Sequence, residues 1–198
     1  DRTLKGQVEG KVILITGGTS GIGQATALKI AEAGSAKAVI VCGRDQEKID
    51  ETLKLAKKRG VKIVAYSADV SDEVGCAEFA KKLHENHGGV DILVNNAGRS
   101  IRRALEHSYD RFHDFERTMQ LNYFGALRIT MALLPHMSAQ KRGHVINISS
   151  IGVLTNAPRF SAYVASNPAL DAWARCASPG YSIGGISFTT INMPLVKT

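Results

Sequence analysis

A doubly wound α/β fold, with a parallel sheet between two layers of helices, is predicted by two features of this sequence. Short apolar runs rich in Val and Ile alternate with longer amphipathic stretches along the whole chain, and the first run ends in a glycine cluster that opens a helix. The 198 residues fit one domain, spanning 1–198, that is large enough to bury a continuous core without disulfides or metals.

Six runs read as buried strands: KVILIT (11–16), AVIVCG (38–43), KIVAYSA (62–68), DILVNN (91–96), GHVINISS (143–150) and ISFTTINM (186–193). Each is brief and bounded by Gly or polar residues. After the second run, Ile49, Leu53 and Ala56 recur at i, i+4 and i+7, and after the third, Val74, Ala77, Ala80 and Leu83 recur every third residue. Both patterns predict one apolar helical face, with Asp45 and Ser71 as N-caps. The longest helical region, roughly 108–137, falls between the fourth and fifth strands. Met119, Met131 and Met137 read as packing residues, and Trp173 as core or interface on the helix after Tyr163.

Composition narrows the function classes. Hydrophobic content of 44% and charged content of 22% are ordinary for a globular protein. The net charge of +7 comes from 25 Lys and Arg dispersed among acids, as in EKIDETLKLAKKRG, which argues against nucleic acid and for an anionic small molecule. Three cysteines without C-x-x-C spacing argue against a disulfide framework or a zinc site, and Cys42, inside an apolar run, reads as core. His84 with His87 and His107 with His113 lack companion Cys or carboxylate patterns, so no metal is expected. The opening DRTLKGQVEGK lacks the apolar stretch of a signal peptide, and no run is long enough to span a bilayer; a soluble cytoplasmic protein is expected.

The glycine cluster carries the first functional signal. In KVILITGGTSGIGQATALKIAEAG, Gly17, Gly21 and Gly23 follow the first strand and open a helix. Glycine there permits a tight turn, lets backbone approach a pyrophosphate, and leaves helix N-terminal N–H groups aimed at phosphates. At the end of the second strand an acid would accept a ribose 2′-OH, whereas an arginine accommodates a 2′-phosphate. The chain has CGRD, so Arg44 favours NADP(H), with Asp45 preferred as a helix cap. Asp69, after the third strand, is placed either to meet the adenine edge or to cap a helix.

TGGTSGIG, NNAG at 95–98, Asn122 in QLNYFGAL, INISS at 146–150 and Tyr163 together resemble the short-chain dehydrogenase/reductase family over essentially the whole chain. The resemblance implies a Rossmann-type sheet of strand order 3-2-1-4-5-6 and hydride transfer between a nicotinamide and a carbonyl or hydroxyl carbon. It implies that Tyr163 is the general acid or base and that Ser150, thirteen residues earlier, holds the substrate oxygen, with Ser149 as the fallback. Asn122 would organise the helix and a water at the site, and Asn95 would support the central strands. Thr19, Ser20, Ile22, Val70, Asn96, Ala97 and Gly98 would join the glycines, Arg44 and Asp69 around the cofactor, and Thr198 would contact the nicotinamide carboxamide. A homo-oligomer is implied as well. So is a substrate-covering segment and last strand that members usually carry beyond the point where these 198 residues stop.

NNAGRSIRRALEHSYDRFHDFERTMQLNYFGALR and SSIGVLTNAPRFSAYVAS are similar to bacterial aldehyde-forming fatty acyl-CoA reductases of this family, as is MPLVKT at the end. That similarity implies lipid metabolism and reduction of long-chain acyl-CoA. The alternative enzyme is a ketoreductase or alcohol dehydrogenase acting on another hydrophobic carbonyl. Arg99, Arg102 and Arg103, just after NNAG, are candidates to attract CoA phosphates; a solvated basic loop is the other reading.

One motif departs from the family. A free phenol has a pKa of about 10, and in the family an ammonium four residues after the tyrosine stabilises the phenolate and grips the nicotinamide ribose. That position is Asn167, followed by Pro168, and Pro179, Gly180, Gly184 and Gly185 follow downstream. Asn167 has no charge to offer, though its amide suits a ribose hydroxyl. A proline inside a helix costs about 3 kcal/mol or more, so Pro168 is expected to be tolerated only near a helix start. A severe loss of activity is expected, and a catalytically impaired cofactor-binding protein is the non-enzyme alternative.

Overall fold

The computed structural model describes residues 2–196. After a short leading helix, α1 (Arg2–Val8), strands and helices alternate: β1 (Val12–Thr16), α2 (Gly21–Ala33), β2 (Ala38–Gly43), α3 (Gln46–Lys58), β3 (Val64–Ser67), α4 (Glu73–His87) and β4 (Ile92–Asn95). A 3₁₀ turn (Leu105–His107) leads into α5 (Phe112–Met119), a π-helical turn (Gln120–Gly125) and α6 (Ala126–Gln140). The chain ends with β5 (Gly143–Ser150), α7 (Gly152–Thr155), α8 (Ser161–Ser182) and β6 (Ile186–Met193). The sheet is parallel throughout, in the order β3-β2-β1-β4-β5-β6. This is the doubly wound, Rossmann-type architecture.

Strand alternation explains the three layers. All five residues of β1 are buried, and successive side chains leave opposite faces of the sheet. Val12 and Leu14 join Ile40, Cys42, Leu93 and Val145 in a core closed by α4 and α6, through Phe79, Leu83, Ile129, Leu133 and Met137. Ile13 and Ile15 join Val39, Val41 and Val94 in a second core closed by Val8 of α1, Ala27 and Leu28 of α2, and Ala56 of α3. Full burial of each Val, Leu, Ile, Phe or Met among them contributes about 1.5–3 kcal/mol.

Two predicted helical faces are displaced. In α3 the buried residues are Ile49, Thr52 and Ala56, while Leu53 is left at the surface. Thr52 can be buried because its hydroxyl donates to the Lys48 carbonyl and accepts from the Gln24 amide. In α4, Cys76, Phe79 and Leu83 face the core and Val74 is 66% exposed, because the bulk of Phe79 sets the rotation of the helix. Asp45 caps α3 as expected, accepting from the Glu47 and Lys48 N–H groups. The cap of α4 is Asp72 and not Ser71, whose N–H and hydroxyl are held by Asp69. Of the methionines, Met137 is core but Met131 is 58% exposed. The region expected to be helical over 108–137 is helical from Phe112 to Gln140.

Helix α8 runs through both Pro168 and Pro179, contrary to the expectation that such a proline needs a helix start. Its Ala162, Ser166, Leu170 and Ala174 form a buried stripe, and the helix packs against α5, the π turn and β6. Tertiary burial outweighs the two hydrogen bonds that the prolines remove. Trp173 and Tyr181 meet Phe188 of β6 edge-on.

Asp91 joins the strands at the end of the sheet away from the glycine loop. Its carboxylate accepts the Val12 N–H at 2.8 Å, and its own backbone bonds Val12 and His144. Asp91→Ala leaves a buried donor without a partner and is expected to lower the unfolding free energy by about 2 kcal/mol. Asp91→Asn, which keeps an acceptor, is expected to lower it by less; urea titration of the two variants checks this.

Candidate active site

The C-terminal ends of the strands open onto two concavities that meet at Ala97 and Gly98. The first, about 470 Å³, is lined by Gly17, Thr19 and Ser20 after β1, Arg44 after β2, and Asp69 and Val70 after β3. The second, about 480 Å³, is lined by Ile22, Asn96, Asn122, Ser149, Ser150, Tyr163 and Asn167, with an apolar wall including Ile151, Phe160, Val164, Leu170 and Leu195. Together they form a groove where β1 and β4 lie side by side and the crossovers diverge, the place at which open α/β sheets bind ligands.

The glycine loop is shaped by close approach. Gly17 has φ +62°, and a Cβ there would come within 2.9 Å of the Ala97 Cα, so the backbone can pass against the floor of the groove. A Cβ on Gly23 would collide with the Gly17 carbonyl and the Asn96 amide. Gly21 and Gly23 line neither concavity; they form the first turn of α2 under the loop. Ser20 makes no side-chain capping bond, which leaves the first N–H groups of α2 to a ligand.

Thr16, which no motif marks, ties the loop after β4 to the end of β1. Its hydroxyl accepts the N–H groups of Asn96 and Ala97, and the Asn96 amide donates to the Thr16 and Gly17 carbonyls. Asn95 points the other way, donating to Thr130 and Asn147. Cys42 stands beneath the loop, where burial pushes its thiol up to about 12 and keeps it protonated.

At the outer end, Arg44 Nη1 lies 3.8 Å from Asp69 Oδ2, with both side chains partly in solvent. Asp69 Oδ1 is held by Ser71, so it caps no helix. Asp45 is occupied with α3.

Asn122 sits in the π turn, where the wider turn disrupts the regular bonding ladder. Its Oδ1 accepts the Arg99 N–H at 2.8 Å, and its Nδ2 donates to the Arg99 carbonyl at 2.9 Å and to Ser166 Oγ at 3.0 Å. Ser166, fully buried, passes its own proton to the Tyr163 carbonyl at 2.8 Å. The loop after β4 and the turn of α8 that carries Tyr163 and Asn167 are therefore joined through two side chains. Ser166 was not anticipated, since no motif marks it. Ser150 Oγ accepts the Gly152 N–H at 3.1 Å, which leaves its proton to be donated into the cleft that it lines with Ser149.

Asn167 lines the same cleft, and its Nδ2 is buried with no hydrogen-bond partner. A buried amide donor without a partner is costly, and a ligand hydroxyl or carbonyl would satisfy it. The open first turn of α2, the clearance at Gly17 and this donor together fit a nicotinamide dinucleotide.

The arginines after NNAG divide. Arg99 lines the cleft, whereas Arg103 Nε is 3.1 Å from Asp114 Oδ2, which Arg111 also contacts at 3.1 Å. Burial pushes the Asp114 carboxyl up, but its hydrogen bond and charge contact with Arg111, and the charges of His113 and Arg103, hold it below the usual carboxylate range. Arg103 is a structural tether. Among the described residues no cluster of His, Cys, Asp or Glu could hold a metal ion; His87 bonds the Tyr66 hydroxyl and His84 meets the His136 ring. No helix among them is long and apolar enough to cross a membrane. Thr198 lies outside the described residues.

Comparison with known proteins gives the same picture. A sequence model described as short chain dehydrogenase matches residues 11–198. A fatty acyl-CoA reductase of Acinetobacter baylyi is 52% identical over 191 residues, covering 96% of this chain and 64% of that protein, so the chain spans under two thirds of the relative's length. An NAD⁺-bound xylitol dehydrogenase superposes with a TM-score of 0.88 at 27% identity, covering 97% of this chain and 73% of that one. A metagenomic short-chain oxidoreductase in complex with NADP does so with a TM-score of 0.85 at 28% identity, covering 93% and 82%.

Proposed function

Because this chain belongs to the short-chain dehydrogenase family, we propose that it is an NADP(H)-dependent oxidoreductase that reduces long-chain fatty acyl-CoA to the aldehyde. The observation that carries the reading is the second concavity. Ser150, Tyr163 and Asn122 share it with an apolar wall suited to a hydrocarbon, and it opens at Ala97 and Gly98 into a groove suited to a dinucleotide. The fatty acyl-CoA reductase relative supports the substrate class.

NADP(H) is preferred over NAD(H) because Asp45, the acid that directly follows Arg44, caps α3, and Arg44, 3.8 Å from Asp69, offers a guanidinium to a 2′-phosphate. Gly17, Thr19, Ser20 and the first turn of α2 would hold the pyrophosphate, Asp69 and Val70 the adenine, and Ile22, Asn96, Ala97 and Gly98 the inner half. Bound NADPH would supply the hydride that reduces the thioester carbon. Ser150 and Tyr163 donate hydrogen bonds to the carbonyl oxygen as it gains charge, and Tyr163 is the proton donor. Asn122 positions rather than reacts, holding Tyr163's turn through Ser166. Asn167 would turn its amide, whose Nδ2 has no partner, toward the ribose. As the carbon–sulfur bond of the tetrahedral adduct breaks, the oxygen returns its proton to Tyr163, CoA leaves as thiolate and takes up a proton from solvent, and the aldehyde remains. A second copy of the chain would cover Phe112, Phe124 and Met131, exposed along α5, the π turn and α6, in a homo-oligomer.

A second reading is kept by one observation, the absence of a cation at position 167: a protein that binds the nucleotide and turns over slowly or not at all. A ketoreductase or alcohol dehydrogenase for another hydrophobic carbonyl uses the same groups. The test is NADPH consumption with a long-chain acyl-CoA, with the aldehyde trapped as a hydrazone, beside the same assay with long-chain ketones. Aldehyde formation is expected. Turnover of ketones alone would overturn the acyl-CoA assignment. Arg44→Ala is expected to weaken NADPH binding by about tenfold or more while leaving NADH within a factor of about three. Equal weakening of both would remove the 2′-phosphate argument.

A further inference from the structure

Beside the cleft lies a shallow basic hollow of about 290 Å³ whose walls include Arg102, Arg159, Arg103, Glu106 and His107. We infer that Arg102 and Arg159 bind a phosphate group on the carrier arm of the thioester, an inference that rests on the acyl-CoA reading above. Arg103 is spent on Asp114. Its backbone N–H donates to the Arg159 carbonyl at 2.7 Å, which ties the loop carrying Arg102 to the loop carrying Arg159.

Three features single out this pair. Among the described residues no carboxylate lies within ion-pair distance of either guanidinium, although Glu106 stands on the same wall. Arg159 holds a left-handed backbone, φ +70°, which a residue with a side chain adopts at a cost. The hollow also adjoins the cleft in chain terms on both sides. Ala157 and Phe160 line the cleft and Arg159 the hollow; Arg99 and Ser100 line the cleft and Arg102 the hollow. A thioester seated at Ser150 and Tyr163 can therefore extend its phosphorylated arm over this rim. The other basic hollow, with Arg44, Arg99 and Arg117, shares Arg44 and Leu121 with the dinucleotide groove and belongs to that side.

The experiment is calorimetric titration of the full chain, saturated with NADP⁺ at low ionic strength. The probes are dodecanoyl-CoA below its micelle concentration, its 3′-dephospho analogue, and dodecanoyl-pantetheine, which carries no phosphate. The variants are Arg102→Ala with Arg159→Gly, the glycine keeping the left-handed backbone, and separately Glu106→Gln. The double variant is expected to weaken dodecanoyl-CoA about tenfold and leave dodecanoyl-pantetheine unchanged, and Glu106→Gln to tighten dodecanoyl-CoA about twofold. A loss confined to dodecanoyl-CoA assigns the 3′-phosphate; a loss shared with the dephospho analogue assigns the pyrophosphate; either supports the inference. Equal weakening of dodecanoyl-pantetheine would make the arginines structural and overturn it. Unchanged binding of all three probes by the double variant would overturn it while leaving the acyl-CoA reading intact. Failure of the unsubstituted protein to bind any of them would remove both.

Discussion

Asn167→Lys combined with Pro168→Ala is expected to raise kcat for NADPH-dependent reduction by roughly 100-fold or more. Position 167 lies one helical turn from Tyr163 on the same side of α8, and both line the cleft. Asn167 lines the cleft and its Nδ2 is buried without a partner, so a lysine placed there starts from the cleft wall and adds the missing charge. Each pKa unit of phenolate stabilisation is worth about 1.4 kcal/mol, a factor of about ten in rate when fully expressed. Two such units, a modest effect for an ammonium near a phenolate, give the 100-fold figure. Because α8 is continuous through Pro168, the proline costs stability rather than shape. Pro168→Ala alone should therefore raise the unfolding free energy by up to about 3 kcal/mol with little change in kcat. NADPH binding, followed by fluorescence, should tighten much less than kcat rises. Unchanged turnover in a double variant that binds NADPH would show that the missing cation does not limit this site.

In that repaired background, Tyr163→Phe is expected to lower kcat about 10³-fold with little effect on NADPH binding. The phenol oxygen is the proposed proton donor, whereas the backbone of the same residue is held independently, through its carbonyl, by Ser166. Removing the hydroxyl takes away the donor and leaves the turn in place. A parallel drop in nucleotide affinity would instead mean that the tyrosine shapes the groove. Single-turnover kinetics with bound NADPH separate these outcomes, because they do not depend on how well the thioester dissociates.

The sheet was legible because buried strands announce themselves by brevity and branching. The runs at 38–43, 143–150 and 186–193 are strands over their whole predicted length, while those at 62–68 and 91–96 are trimmed to Val64–Ser67 and Ile92–Asn95. Helix rotation was harder to read. Counting small apolar residues put Val74 and Ala77 inside, yet the bulk of Phe79 decided the orientation of α4, and a hydrogen-bonded threonine took the inward place expected of Leu53 in α3. Local propensity also misjudged α8, whose buried stripe carries it through two prolines. For the candidate site, motifs led to the residues that line the groove, because each is a local pattern. Thr16, Ser166, Asp114 and Arg159 act through partners distant in the chain or through backbone groups, and no short pattern records such pairings.

The π turn between α5 and α6 has a mechanical corollary. Residues 112–140 form one helical rod in which this wider turn sets the phase between its two halves. An α-helix advances about 100° per residue. A turn bonded i to i+5 absorbs one extra residue, so deleting one residue from 120–125 would restore α-helical winding with α5 and α6 nearly in phase, whereas deleting one from the first turn of α6 would swing α5 by about that angle. Asp114 would turn away from Arg103, and Thr118 would leave its buried place. Outside the π turn the chain therefore tolerates point substitution along this rod far better than a change of length, and the odd turn takes up an extra residue while keeping both ends in step.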